Sequence, residues 1–169
     1  MIIIDSREKQ FGHIEDYFKA HFIPFHIAKL ETGDYLNTDN PSVLVDRKAN
    51  LEEINSNLSW GKSNRSRFAR ECQRAFKEHK RFVVLIEGTS YRTVEEIKAW
   101  QSRFSSHNGK WLANEMFRLT MAYGVEWQFC RKNETPKRIL EILGYDERRD
   151  QEGCIDAGSD GQVRNSHQE

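Results

Sequence analysis

The sequence predicts an α/β domain built as a mixed central sheet flanked by helices, and three observations carry that expectation. Short apolar runs of strand length alternate with segments of helical periodicity, as in layers of strands and helices sharing one core. Hydrophobic residues make up 37% of the 169 residues, enough for a single continuous interior. After Asp146 apolar residues nearly vanish and Gly, Ser, Asp, Gln and Asn dominate. Such a segment buries too little surface to offset its ordering entropy. The expected organisation is therefore one domain over 1–146 and an acidic, disordered tail over 147–169.

Ile2–Asp5 is a buried-strand pattern. His13–Phe22 carries Ile14, Tyr17, Phe18 and Phe22 at helical spacing, and Pro24 ends it. Phe25–Leu30 alternates as a strand. Gly33 punctuates, Tyr35-Leu36 is extended, 37–41 has turn composition, and Val43–Val45 opens the next strand, so 35–47 is expected to be a hairpin. Asn50 is placed to cap a short helix with Glu52 and Glu53 in its first turn. A polar loop at 59–64 leads into a helix reaching about His79. Phe82–Ile86 is the clearest strand. Helices are expected at Thr93–Ser102 and Lys110–Tyr123, a strand at Val125–Phe129, and a last helix at Glu134–Leu143 stopped by Gly144. In the helix expected at Lys110–Tyr123, Trp111, Leu112, Met116, Leu119, Thr120 and Tyr123 have the spacing of a core or dimer face.

Composition excludes several classes. No apolar run is long enough to span a membrane, and the interrupted start does not resemble a signal peptide. Three cysteines at irregular spacing fit neither a disulfide framework nor a zinc knuckle, and point to a reducing cytoplasmic setting. The net charge is zero but segregated. Eight Lys/Arg between Lys62 and Arg81 face two acids, a balance of +6, whereas seven acids from Asp146 onward face three arginines, a balance of −4.

The helix through 65–79 turns this segregation into a face. Arg67, Arg70, Arg74 and Lys77 recur at spacings of 3, 4 and 3, opposite Phe68, Cys72, Ala75 and Phe76. With Lys62 and Arg65 in the preceding loop they form a candidate track for a phosphate backbone, or else an ordinary solvated helix face. Trp60 could stack on an unpaired base or plug its loop onto the core.

Asp46 and Lys48 are two apart on a strand and so project to one side while Arg47 projects to the other. Asp34, on the preceding strand of the hairpin, can meet Asp46 across it. Two carboxylates and an amine suit phosphodiester hydrolysis, the carboxylates holding Mg²⁺ or Mn²⁺ and the amine orienting or deprotonating a water. The alternative is a turn-capping Asp34 and a surface Asp46–Lys48 ion pair.

Ile4-Asp5-Ser6-Arg7-Glu8, Thr32-Gly33-Asp34-Tyr35, Val45-Asp46-Arg47-Lys48 and Leu85-Ile86-Glu87-Gly88 occur in that order. Together they resemble the nuclease domain of the XPF/Hef family, over Ile2 to about Leu143. The resemblance implies a restriction-endonuclease-like core of the PD-(D/E)xK type, dependence on a divalent metal, a DNA partner, homodimer formation, and incision at branched or flap structures. By position it implies Asp34 and Asp46 as metal ligands and Lys48 as the catalytic amine. It makes Asp5, Arg7, Glu8, Arg47 and Glu52 supporting residues. For Arg47 an internal ion pair and a phosphate contact stand side by side, and Glu87 is expected to be a structural acid. Asp46 stands where the family has Glu, and Glu52 where it has Asp. Members commonly carry a tandem helix-hairpin-helix domain after the nuclease, whereas a short acidic segment follows here. Two other readings are a catalytically inactive scaffold that binds DNA or a partner, and a small inhibitor protein.

Overall fold

A computed structural model describes residues 1–59 and 63–146, the side chains of 63–66 excepted. Among them a six-stranded mixed sheet runs in the order β2-β1-β3-β4-β5-β6. The strands are β1 (Ile2–Asp5), β2 (Phe25–Ala28), β3 (Tyr35–Asn37), β4 (Asn40–Lys48), β5 (Arg81–Ile86) and β6 (Glu126–Phe129). β1 pairs parallel with β2, as β4 does with β5 and β5 with β6, while β3 lies antiparallel between β1 and β4. The helices are α1 (Gly12–Ala20), α2 (Leu51–Leu58), α3 (Ser63–Lys77), α4 (Gly109–Tyr123) and α5 (Thr135–Ile142). The α/β expectation is borne out.

The core is split by the sheet. Leu44, Val84 and Ile86 face α2, α3 and α4 through Ile54, Phe68 and Met116. Val45, Val83 and Leu85 face α1 and α5 through Phe18 and Ile139. This two-sided burial explains why β5 is a nearly continuous apolar run rather than an alternating one. α2 starts where Asn50 accepts the Glu53 N–H at 2.9 Å and the Glu53 side chain returns to the Ala49 N–H at 2.7 Å. The reciprocal pair satisfies two otherwise orphaned donors.

Four expectations are corrected. The segment 93–102 forms only a single 3₁₀ turn, Glu96–Ala99. Its continuation is prevented because the Trp100 carbonyl accepts the Gly109 N–H, at 2.7 Å, instead of a helical partner. α4 approaches that turn so closely that a Cβ at Gly109 would lie 1.7 Å from the Ile97 carbonyl oxygen. α1 stops before Phe22, which has a left-handed φ of 55° and is 90% exposed. Phe76 does not join the apolar side of α3; it is 55% exposed and meets the Tyr123 ring edge-on. Asp34 lies just before β3 rather than within it. The proposed tail, Trp60 and Lys62 lie outside the described residues. No described helix is long and apolar enough to cross a membrane.

Candidate active site

The C-terminal ends of β1, β4 and β5 reach the same edge of the sheet, and a cleft of about 660 Å³ opens there. Gly33 makes its near wall possible. Its φ of 73° is left-handed, and a Cβ there would press on the Val45 carbonyl at 3.1 Å. Past this turn the Asp34 peptide bridges two strands, its N–H donating to the Val45 carbonyl and its carbonyl accepting the Asp5 N–H, both at 2.8 Å. Its carboxylate also accepts the Arg47 N–H at 2.8 Å. Asp34 is thereby held at the mouth of β4, where Asp46 emerges.

Asp46 and Lys48 project together as their spacing requires, with Lys48 Nζ 2.7 Å from Asp46 Oδ2. Both are buried. The Lys48 ammonium lies 5.3 Å from the centre of the Phe68 ring of α3. Burial favours the neutral amine, but the charges of Asp46 and Asp34 outweigh it, so the Lys48 pKa is raised. Lys48 is an ammonium ion in the free protein.

Arg47 points to the opposite side and forms an internal lock. Its Nε donates to Glu8 at 2.8 Å, Nη2 to Glu8 and to the Lys9 carbonyl, and Nη1 to Glu87 at 2.5 Å. Its side chain is 4% exposed. Of its two readings the structure shows the ion pair. Glu87 in turn accepts the Thr135 hydroxyl at 2.7 Å and faces His13 Nε2 at 2.9 Å. Asp5 is equally committed, receiving the Arg7 N–H, the Arg7 guanidinium and the Leu30 N–H. Burial works to raise the Asp5 pKa, yet the bonds from Arg7 and Leu30 leave it lowered. The remaining wall comes from α2 and α3, as Glu53, Asn57, Arg67, Phe68 and Glu71.

The cleft gathers more carboxylates than cations. Six carboxylates face five lysines and arginines among the described residues lining the cleft, and three of those cations, Arg7, Arg47 and Lys48, are paired with carboxylates. Burial and then the charges of Asp46 and Glu8 push the Asp34 carboxyl well above its ordinary range. Burial also raises Glu8 and Glu71, Asp46 adding to both. Asp46 Oδ2 is buried and takes no aligned hydrogen bond despite the nearby ammonium. A divalent cation on Asp34 and Asp46 would relieve this crowding and use that oxygen. No group of three or more His, Cys, Asp or Glu is arranged to hold a metal among the described residues, and two carboxylates with waters and phosphate are a donor set natural to Mg²⁺.

Glu52, expected beside the site, is turned away from it. It accepts the Ser102 hydroxyl at 2.8 Å and the Arg103 N–H at 2.7 Å. Helical rotation places Glu53, not Glu52, on the cleft side of α2. On α3, Arg67 reaches the cleft and Arg70 and Lys77 are exposed. Arg74 instead binds the Glu31 carbonyl and the Thr32 hydroxyl. The Arg65 side chain lies outside the described residues. Sequence reasoning missed Glu71 and Phe68 as cleft residues, although the i, i+4 spacing of Arg67 and Glu71 beside Phe68 was the available signal.

No curated protein matches the chain. Among solved structures it is similar to XPF from Aeropyrum pernix, with a TM-score of 0.64 and 19% identity, covering 91% of this chain and 68% of that one. The structure described as XPF from Aeropyrum pernix, complex with DNA, is similar with a TM-score of 0.62 and 19% identity over 90% of this chain and 65% of that one. The chain thus spans about two thirds of those proteins, and its fold is the restriction-endonuclease-like fold of the XPF nuclease domain. The model of the ERCC4 domain matches residues 4–143, and the chain belongs to the ERCC4 domain family of XPF-type nuclease domains.

Proposed function

We propose that this protein is a divalent-metal-dependent DNA endonuclease whose active site is Asp34, Asp46 and Lys48. The observation that carries the reading is the convergence of two carboxylates and one ammonium, with a buried carboxylate oxygen left without an aligned hydrogen bond. Asp34 and Asp46 would hold Mg²⁺ or Mn²⁺, which when bound supplies Lewis acidity toward water and a phosphoryl oxygen. Lys48, protonated and 2.7 Å from Asp46, is placed to donate to the phosphate or orient the attacking water as charge develops. A water would attack phosphorus in line as the P–O3′ bond breaks, its proton passing to solvent while the leaving 3′-oxygen takes one from solvent. Asp5, Arg7, Glu8, Glu87 and Arg47 do not touch the reacting phosphate in this scheme. They hold the three strand ends at fixed separation, the support a preorganised site requires.

The DNA-bound state of the related structure, Arg67 at the cleft and the exposed Arg70 and Lys77 farther along the helix support a duplex arm lying along α3. Backbone contacts of this kind are independent of sequence, so the substrate would be selected by shape, at flaps or junctions. The test is cleavage of flap, splayed and linear DNA with Mg²⁺ or Mn²⁺ by wild type, Lys48→Ala and Asp34→Ala. Both variants are expected to lose cutting by at least about 100-fold, the scale of a lost electrostatic partner in the transition state, while still binding DNA. Binding without metal-dependent cleavage by the wild type would support the scaffold reading instead.

A further inference from the structure

Between the 3₁₀ turn and α4 the chain makes a closed loop, and its tip is Phe104. Gln101 and Asn108 form an antiparallel bridge at its base. The Gly109 N–H donates to the Trp100 carbonyl at 2.7 Å and the Ser102 N–H to the His107 carbonyl at 3.2 Å. Inside the loop the Ser102 hydroxyl accepts the Phe104 and Ser105 N–H groups, both at 3.1 Å, and donates to Glu52 at 2.8 Å. Glu52 also takes the Arg103 N–H at 2.7 Å. Asn55 donates to the Ser105 hydroxyl at 3.1 Å, and His107 is stacked on Trp111 with ring centres 3.7 Å apart.

The backbone is therefore pinned on both sides of Phe104, yet that ring is 85% exposed. A slack loop would fold such a ring onto the nearest apolar surface, and these bonds hold it outward. Its loop neighbours Gln101, Arg103, Ser105 and Ser106 are polar and exposed. No further apolar side chain adjoins it within 101–106. A lone outward aromatic flanked by a cation is the chemistry that stacks on a nucleobase.

The loop and the cleft share α2. Glu53 and Asn57 line the cleft from one side of α2, while Glu52 and Asn55 grip the loop from another. The loop thus lies across α2 from the Asp46–Lys48 pair, at least about one helix diameter, ~10–12 Å, away. That minimum is about three or four base-pair steps at ~3.4 Å each.

We infer that Phe104 is a stacking platform for an unpaired base of the DNA bound at the cleft, presented by a loop that Glu52 holds in place. This rests on the proposed reading that the cleft takes DNA. It gives Glu52 the role of a positioning residue, and it supplies a means of preferring DNA with an unpaired arm over a blunt duplex.

The full chain is titrated without divalent metal, so that no strand is cut, onto a blunt duplex and a splayed-arm DNA. The unpaired arm carries 2-aminopurine at successive positions, whose fluorescence is quenched by stacking. Phe104→Ala is expected to weaken splayed-arm binding by about 5- to 100-fold, the range of one base–aromatic stack. It should abolish quenching at one or two positions and leave blunt-duplex binding within about twofold. Phe104→Trp is expected to retain both signals and Phe104→Leu to behave as the alanine variant. Glu52→Ala, with Phe104 intact, is expected to lose the same quenching. Equal loss on both DNAs, no loss on the splayed DNA, or a leucine variant that binds as well as tryptophan would overturn the inference. Wild type binding neither DNA defeats the underlying reading, an outcome distinct from intact binding that ignores Phe104. The exposed ring makes no core contact, so melting temperatures of the Phe104 variants should match wild type.

Discussion

At Lys48, burial favours loss of the proton while Asp46 and Asp34 favour keeping it, and the carboxylates prevail. Neutralising Asp46 should therefore leave a buried ammonium without its partner, and Asp46→Asn is expected to lower the Lys48 pKa, measurable by NMR of the Nζ-attached carbon. Asp34, Glu8 and Glu71 have the opposite imbalance, with pKa values raised from ordinary values of 3.8 and 4.5. Such groups bind protons more tightly in the folded chain, so their contribution is present below the ordinary value and is lost as pH rises through the folded one. Asp5 works the other way, its stabilisation present above pH 3.8 and lost as pH falls. Metal-free protein is thus expected to lose stability as pH rises above the ordinary carboxylate range, with Mg²⁺ restoring it. Melting curves with and without Mg²⁺ should diverge with increasing pH; a constant gap would refute the coupling. The pairing of Asp46 with Lys48 was legible because side-chain alternation on a strand is strict. The protonation of Lys48 was not, since it depends on how closely three buried charges approach.

At the scale of elements, β4 and the turn before β3 carry the site, and Arg47 ties β4 to its neighbours. Its guanidinium joins Glu8, after β1, to Glu87, after β5. Arg47→Ala takes the guanidinium from two buried carboxylates, so a loss of about 3–5 kcal/mol is expected in chemical denaturation. Arg47→Lys should recover only part of it, because an ammonium cannot reproduce the fork. The 3₁₀ turn and α4 are joined by close backbone approach. Gly109→Ala, with its Cβ 1.7 Å from the Ile97 oxygen, should cost about 1–3 kcal/mol through overpacking. Here the sequence was less informative. Val94, Ile97 and Trp100 have helical spacing, yet Ile97 packs into the α2–α4 side of the core while the Trp100 carbonyl serves Gly109. A tertiary contact thus overrides local periodicity. Glu52 and Glu53 posed the same difficulty, since their roles depend on the rotation of α2, which the cap at Asn50 sets.

For the whole molecule, the alternation of strands and helices was enough to anticipate the layered fold, but not the strand order that seats β3 between β1 and β4. That order matters because it gathers residues 5, 34, 46 and 87 at one edge. Zero net charge conceals a cleft with one more carboxylate than cation and a helix whose exposed arginines lie alongside. Affinity for DNA should accordingly depend on salt. Arg67→Ala with Arg70→Ala is expected to reduce the log–log salt slope by about 1.8, at about 0.9 per phosphate contact. The central claim is most directly tested by counting Mn²⁺ bound per chain by electron paramagnetic resonance while cleavage is followed in the same samples. Wild type should bind the ion and cut DNA, whereas the Asp34→Asn, Asp46→Asn double variant, still folded by circular dichroism, should do neither. A double variant that keeps both the ion and the cutting would contradict the assignment.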